Sequence, residues 1–345
     1  MPASSLLGTL QSATHLFRRL AVVKHKEPKL TVGLDIGSSA VKMVVLGARK
    51  AFGARPVVGS CSVPVDGAEA KVSSAIKQAA QELRLSTKSV TLSVSGQWVI
   101  IRVVEMPKLS PDELRQALPI EAQRHLPFAV QDVVLDGAIL GPADASKMWV
   151  LLVACKRELL ERRLSWVTAA GLVPVCVDVD AVAVANAFVE TNGIKRPKTY
   201  AVMEIGAQRS SVIVFRSDTP YLIREFPVGG AKLIHRMSEQ MGREVDAIAA
   251  SLRSSEPLPA DVGAALKSAC EALTTELQLS FDFFESRFGP PPEQLYVTGG
   301  FVRYAAVLDA LKSQVSQSLS VWEAQPKLSP EFSVAYGLAL RTDVG

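Results

Sequence analysis

The residues best suited to chemistry surround one short turn. In "GLDIGSSAVKMVV" (residues 33–45), Asp35, Gly37, Ser38, Ser39 and Lys42 flank the point where one apolar run ends and another begins. Backbone N–H groups released at Gly and Ser form a concave donor site for phosphate oxygens. The two hydroxyls add donors and Lys42 adds a point charge. Asp35 is placed to hold Mg²⁺ through water, because that ion gives up its hydration shell reluctantly. Taken singly, a Gly-Ser turn beside an acid is most often only a turn. This one has an echo. In "MEIGAQRSSVIVF" (residues 203–215), Glu204-Ile205-Gly206 repeats Asp35-Ile36-Gly37 at a distance of 169 positions, with Ser210 and Ser211 following. A third turn, in "YVTGGFVR", carries Gly299 and Gly300, which allow the backbone close approach to a nucleobase or ribose. The reading is of two hairpin turns that face each other across an interdomain cleft.

These residues need strands and helices to hold them. "KLTVGLDI" and "AVKMVVLG" bracket the first turn as strands, and "RPVVGSCSVPV" follows as a third. "EAKVSSAIKQAAQELRL" has helical spacing at Val72, Ile76, Ala79, Ala80 and Leu83, and "SVTLSVSGQWVIIRVVEM" returns to strands around Ser95-Gly96. In "LSPDELRQALPIEAQRHLPF", Ser110, Pro111 and Glu113 mark a helix start with a capping box, and Pro119 is expected to break or kink that helix after one or two turns. A strand at "KMWVLLVAC", a helix at "RELLERRLSWVTAAG", a strand at "VPVCVDVD" and a helix from about Ala181 lead to the polar link "TNGIKRPKT". Beyond it "TYAVMEIGAQRSSVIVFRSDTPYLIREFPVGG" repeats the strand–turn–strand–strand plan, which predicts two related α/β domains.

Composition narrows the function classes. Apolar residues make up 48% and charged residues 21% of 345 residues, as in an ordinary folded protein of about two domains. The net charge of +4 is concentrated in residues 1–28, where Arg18, Arg19, Lys24 and Lys26 outnumber Glu27 by three. The near-neutral remainder argues against a nucleic-acid surface. Leu6, Leu10, Ala13, Phe17 and Leu20 give the same segment one apolar stripe, so it reads as an amphipathic helix, docked on a neighbour or lying on a membrane surface. Cys61, Cys155, Cys176 and Cys270 are far apart and fit reduced thiols without a zinc site. His125 and His235 read as surface or core groups. Asp178 and Asp180 interrupt the most apolar long window, so no membrane span is expected. The expected location is cytoplasmic.

The three turns, together with "VDVDAVAVANAF" and "ELQLSFDFFESRF" as connecting helices, resemble the phosphate, adenosine and connecting motifs of the actin-like ATPases. The middle section, "SVSGQWVIIRVVEMPKLSPDELRQALPIEAQRHLPFAVQDVVLDGAIL", is similar to the type IV pilus assembly PilM family, which is related to FtsA. The resemblance spans about residues 30–341. It implies an α/β actin-like ATPase fold of two RNase H-like domains with an inserted subdomain. The implied limits are an N-terminal extension over 1–28, domain I over 29–190 with its insert at about 97–175, domain II over 191–324, and a segment over 325–345 that returns to domain I. It also implies ATP with Mg²⁺ as cofactors, at Asp35, Gly37, Ser38, Ser39, Lys42, Glu204, Gly206, Ser210, Ser211, Gly299 and Gly300.

Asp180 falls where such ATPases place a residue that positions the attacking water or a metal-bound water, and it is also a candidate N-cap for the helix at Ala181. The partner implied is the N-terminal cytoplasmic tail of PilN, extended in a groove beside the insert, with other inner-membrane pilus components as further candidates. We place that groove along Val99, Ile101 and Val103 and the helix side chains Leu114, Leu118 and Leu126. Location at the inner membrane would be peripheral, aided by residues 1–28. The sequence departs from the ATPase pattern at Glu204 (usually Asp), at Arg209 within the second turn, and in "EVDAIAASLR" and "GGFVRYAAV", which lack the usual adenosine contacts. ATP binding with weak or absent hydrolysis is therefore the expectation. The alternatives are a nucleotide-independent scaffold, an FtsA-like membrane tether or a sugar-kinase-like enzyme.

Overall fold

The computed structural model describes residues 29–49, 54–65, 69–192, 198–254 and 257–341. The N-terminal extension and the centre of the predicted link lie outside them. The described chain divides into two compact units. One runs up to Thr191 and resumes at Val334; the other runs from Asn192 to Ser333.

The first unit is built on β1 (Thr31–Ile36), β2 (Ala40–Leu46), β3 (Val57–Pro64), β4 (Ser89–Val94) and β8 (Val173–Val179), in the order β3-β2-β1-β4-β8. β1, β2 and β3 pair antiparallel, whereas β1–β4 and β4–β8 are parallel. Every residue of β1 is buried, as a central strand covered on both faces requires. Helix α1 (Glu69–Glu82) packs on β2 and β3.

The second unit repeats this plan with β9 (Thr199–Ile205), β10 (Ser210–Arg216), β11 (Thr219–Phe226), β12 (Gln294–Thr298) and β13 (Ser318–Val321), in the order β11-β10-β9-β12-β13. The pairing directions match strand for strand. The repeat read from two short motifs thus extends to whole sheets.

Between β4 and β8 the first unit carries an inserted sheet of β5 (Val99–Pro107), β6 (Val133–Pro142) and β7 (Lys147–Lys156), ordered β5-β7-β6. β5 is therefore an outer strand. Helix α2 (Pro111–Ala122) lies on β6 and β7, and α3 (Arg157–Ala169) follows β7 and packs on β4, β7 and β8. The capping box forms as predicted: Glu113 N–H meets Ser110 Oγ at 3.4 Å, and Ser110 N–H donates to Glu113 Oε2 at 2.8 Å. Pro119 does not end α2, which continues to Ala122. Pro119 is exposed, so the carbonyl four residues before it can turn to water, which reduces the usual cost.

After β8, α4 (Asp180–Asn192) leads to the second unit, whose helices are α5 (Gly230–Met241), α6 (Val245–Arg253), α7 (Ala260–Phe288) and α8 (Ala305–Lys312). The chain re-enters the first unit at Val334, with α9 (Ser333–Ala339), and not at residue 325, because the segment that ends in the 3₁₀ turn Pro330–Phe332 belongs to the second unit. Two glycines make this return possible. A Cβ at Gly33 would stand 1.9 Å from Ala335 O, and one at Gly337 would stand 2.0 Å from Ala183 O. β1, α9 and α4 approach at these points closer than any side chain permits.

Candidate functional site

In the first unit the antiparallel register places Lys42 opposite Asp35, and this explains their spacing across the hairpin. Lys42 Nζ lies 3.0 Å from Asp35 Oδ2, with both side chains largely shielded from water. Gly37 N–H closes the turn on Ala40 O at 3.0 Å. The space a Cβ would take at Gly37 lies 3.5 Å from Lys42 Nζ and 3.8 Å from Asp35 Oδ1. The bare glycine leaves a small recess bordered by a cation and a carboxylate. Ser38 is half-buried and Ser39 exposed beside it.

Asp180 joins this group through the parallel ladder. Ser93 pairs with Asp178 and Val94 with Val179, so Ser95 and Asp180 emerge together where β4 and β8 end. Hydrogen bonds from Ser93 and Ser95 reach the Asp180 carboxyl. Its pKa is raised, first by burial and then by the negative charge of Asp35, against the opposing effects of the two serines and Arg163. Asp180 is thus turned to this group while forming the first residue of α4.

Arg163 reaches in from α3 and donates from Nη1 to Ile36 O at 2.5 Å. Burial lowers its pKa, and Asp180 and Asp35 work in the opposite direction. Two acids and two bases therefore surround the carboxyl ends of β1, β4 and β8, the edge where open α/β sheets bind ligands. Among the described residues no cluster of three or more His, Cys, Asp or Glu side chains could hold a metal. Asp35 and Asp180 are the two acids that would hold a hydrated Mg²⁺ here.

The second unit builds a different version of the turn. Glu204 is opposite Ser211, where the first unit has the acid–lysine pair. The parallel register aligns Thr298 with Glu204 and brings Gly299, at φ +98°, beside the carboxylate. A Cβ at Gly299 would lie 2.7 Å from Glu204 Oε1, and one at Gly206 would lie 3.4 Å from the same oxygen. The longer acid therefore fills the space over both glycines. Gly300 is open: its nearest neighbour would be Glu331 Cβ at 3.7 Å. Arg209 leans toward β11 and pairs with Glu225 at 3.4 Å. Ser210 is buried and donates its hydroxyl to Val228 O at 2.6 Å, and Ser211 is buried too. The hydroxyl of Ser210 is committed to the fold and is not offered to a phosphate.

The groove residues separate into two sets. Val99 and Val103 are half-buried on outer strand β5, and Ile101 of the same strand is buried. Leu114 and Leu118 are core residues, buried with Val104, Met106, Met148, Val150 and Leu152, and Leu126 is packed against the same cluster. Helix α2 covers one face of the three-stranded sheet and uses its leucine stripe to do so. That corrects their placement as surface lining. His125 pairs with Glu121 at 3.0 Å and His235 with Glu239 at 3.3 Å.

Residues 33–336 match the model of the family described as type IV pilus assembly protein PilM. The chain belongs to the PilM family. A solved PilM–PilN type IV pilus biogenesis complex is 26% identical to it, at a TM-score of 0.78, with 92% of this chain and 99% of that chain covered. The ethanolamine utilization protein EutJ of Carboxydothermus hydrogenoformans matches at 14% identity over 98% of each chain, with a TM-score of 0.56. A ROK family glucokinase of Streptomyces griseus, in complex with glucose and AMPPNP, matches at 15% identity, 92% and 100% coverage and a TM-score of 0.51. The last two show the fold alone, and the architecture is that of the actin-like ATPases. This PilM-family chain is a type IV pilus assembly actin-like protein.

The turn motif pointed to Asp35 and Lys42 and the resemblance to Asp180, all three of which the structure brings together. Nothing in the sequence reading pointed to Arg163, Ser93 or Ser95 beside them. Arg163 sits in "ERRLSWV" between buried Leu159, Leu160, Leu164 and Val167, so only its position at the margin of an apolar stripe marked it.

Proposed function

We propose that this chain binds Mg·ATP and serves as a cytoplasmic adaptor at the inner membrane, docking the N-terminal tail of a PilN-type protein along β5. The observation that carries the nucleotide part is the Lys42–Asp35 pair bordering the Gly37 recess, with Asp180 beside it. Lys42 supplies charge to phosphate oxygens, the Gly37 turn supplies backbone donors, and Asp35 and Asp180 orient hydrated Mg²⁺, which would offset phosphate charge. Of the glycine pair 299–300, Gly300, which Glu204 leaves open, is assigned to adenosine.

The partner part rests on the outer position of β5 and on the likeness to a PilM–PilN complex. An extended peptide can hydrogen-bond to an outer strand while its side chains meet the half-buried Val99 and Val103. Arg102 and Glu105 are exposed on the same strand and discourage unselective pairing. Among the described residues no helix is long and apolar enough to cross a membrane. Residues 1–28 are assigned to peripheral membrane attachment on their sequence pattern.

Hydrolysis is expected to be weak or absent, since Glu204 closes the space over Gly206 and Gly299 and has no lysine opposite. The same observations favour the second reading, a scaffold that works without nucleotide. Calorimetry with Mg·ATP on the wild type, Asp35→Ala and Lys42→Ala separates the two. Saturable binding lost in both variants supports the adaptor, and no binding at millimolar nucleotide leaves the scaffold.

A further inference from the structure

A charged side chain of the helix that follows the inserted sheet reaches the phosphate turn. Arg163 belongs to α3, the helix that continues directly from β7, yet its Nη1 holds Ile36 O, the residue immediately before Gly37. Its guanidinium lies 5.7 Å from the Trp166 ring, and its Nε is buried with no hydrogen-bond partner. The neighbouring Arg162 serves another purpose and pairs with Glu69 of α1 at 2.9 Å.

At the N-terminal end of α3, its cap residue Lys156 anchors the helix to the start of β5. Its N–H donates to Trp98 O at 3.0 Å, and its Nζ stands 4.1 Å over the Trp98 ring and 4.7 Å over Phe128. β7 then pairs with β5 along its full length, from Val99↔Cys155 to Pro107↔Lys147. Lys156 and Arg163 are two helical turns apart, about 10 Å. A displacement at the guanidinium is therefore delivered to the base of β5 through one short, packed helix.

We propose that Arg163 is a positioning residue that ties occupancy of the phosphate turn to the order of outer strand β5. This rests on the nucleotide reading above. Asp35, Asp180, Lys42 and Arg163 balance one another in the free protein. Bound Mg·ATP adds net negative charge beside Arg163, strengthens its hold and fixes α3, so the Trp98–Lys156 bracket and β5 open less often. Coupling of this kind is established only by its loss in a variant.

The test is amide hydrogen exchange over residues 98–107, with and without saturating Mg·ATP, on the full chain and on Arg163→Lys and Arg163→Ala. Calorimetry on the same samples reads nucleotide affinity separately. In the wild type, nucleotide slows exchange in this segment several-fold. Arg163→Lys keeps the charge but loses the planar fork, so it binds Mg·ATP about threefold more weakly and loses the slowing. Arg163→Ala loses the slowing and more affinity. Should Arg163→Ala unfold, Arg163→Lys with an unchanged melting temperature carries the test. Slowing retained in Arg163→Lys overturns the proposal, as does a wild type that binds Mg·ATP with no change at β5. A wild type that binds no nucleotide overturns both this and the nucleotide reading, and calorimetry identifies that case.

Discussion

The charge of Asp180 depends first on burial and then on its neighbours. Burial and Asp35 raise its pKa above the ordinary 3.8. The folded state therefore holds this proton more tightly than the unfolded chain does. The resulting stabilisation is present below the unfolded value and is lost as pH rises through the raised folded value. Asp180→Asn, which can still accept a hydrogen bond from Ser93 or Ser95, is expected to raise the melting temperature of the nucleotide-free protein at neutral pH. It should also flatten the fall in melting temperature across the mildly acidic range. Calorimetric scans over that range check both, and an unchanged profile would contradict the placement of Asp180 beside Asp35. Asp35 was legible because it sits two residues before the glycine of a turn, and Asp180 because the family resemblance and its place before an apolar helix pointed to it. Arg163, Ser93 and Ser95 were not, because their roles depend on a parallel register and a helix orientation that no short motif encodes.

Secondary elements were largely legible where periodicity was strong. The hairpins, α2 with its capping box, and the strands around them follow directly from apolar spacing and cap residues. Two features did not follow. Pro119 reads as a helix breaker, but its exposed position lets α2 continue. On sequence Leu114 and Leu118 are placed in the groove, but the sheet beneath them takes both into the core. Leu118 is 5% exposed and lies over Gly137, where an added Cβ would meet its Cδ1 at 2.7 Å. Leu118→Ala is therefore expected to cost about 2–5 kcal/mol in urea unfolding. Gly337→Ala forces a methyl to 2.0 Å from Ala183 O and should cost at least about 2 kcal/mol by the same measurement. Wild-type stability in Gly337→Ala would refute the close seating of α9 on α4.

Across the whole chain, two motifs 169 residues apart predicted a duplication, and two sheets of identical order and pairing bear it out. The return point of the C-terminal segment was less legible, because the boundary follows the tertiary partners of α9 and not a change in composition. All four cysteines are buried, and burial pushes the Cys61, Cys155 and Cys270 thiols up to about 12. A thiol reagent at mildly alkaline pH should therefore react only on the timescale of unfolding; fast modification of the native protein would contradict that packing. The central claim is that one intact phosphate turn suffices to bind nucleotide despite an altered second turn. Titration calorimetry with Mg·ATP tests it most directly. The account predicts saturable binding in the wild type and a loss of at least about tenfold in Lys42→Ala, the worth of one charge-assisted contact. Equal affinity in the wild type and Lys42→Ala, or no heat at millimolar nucleotide, would contradict it.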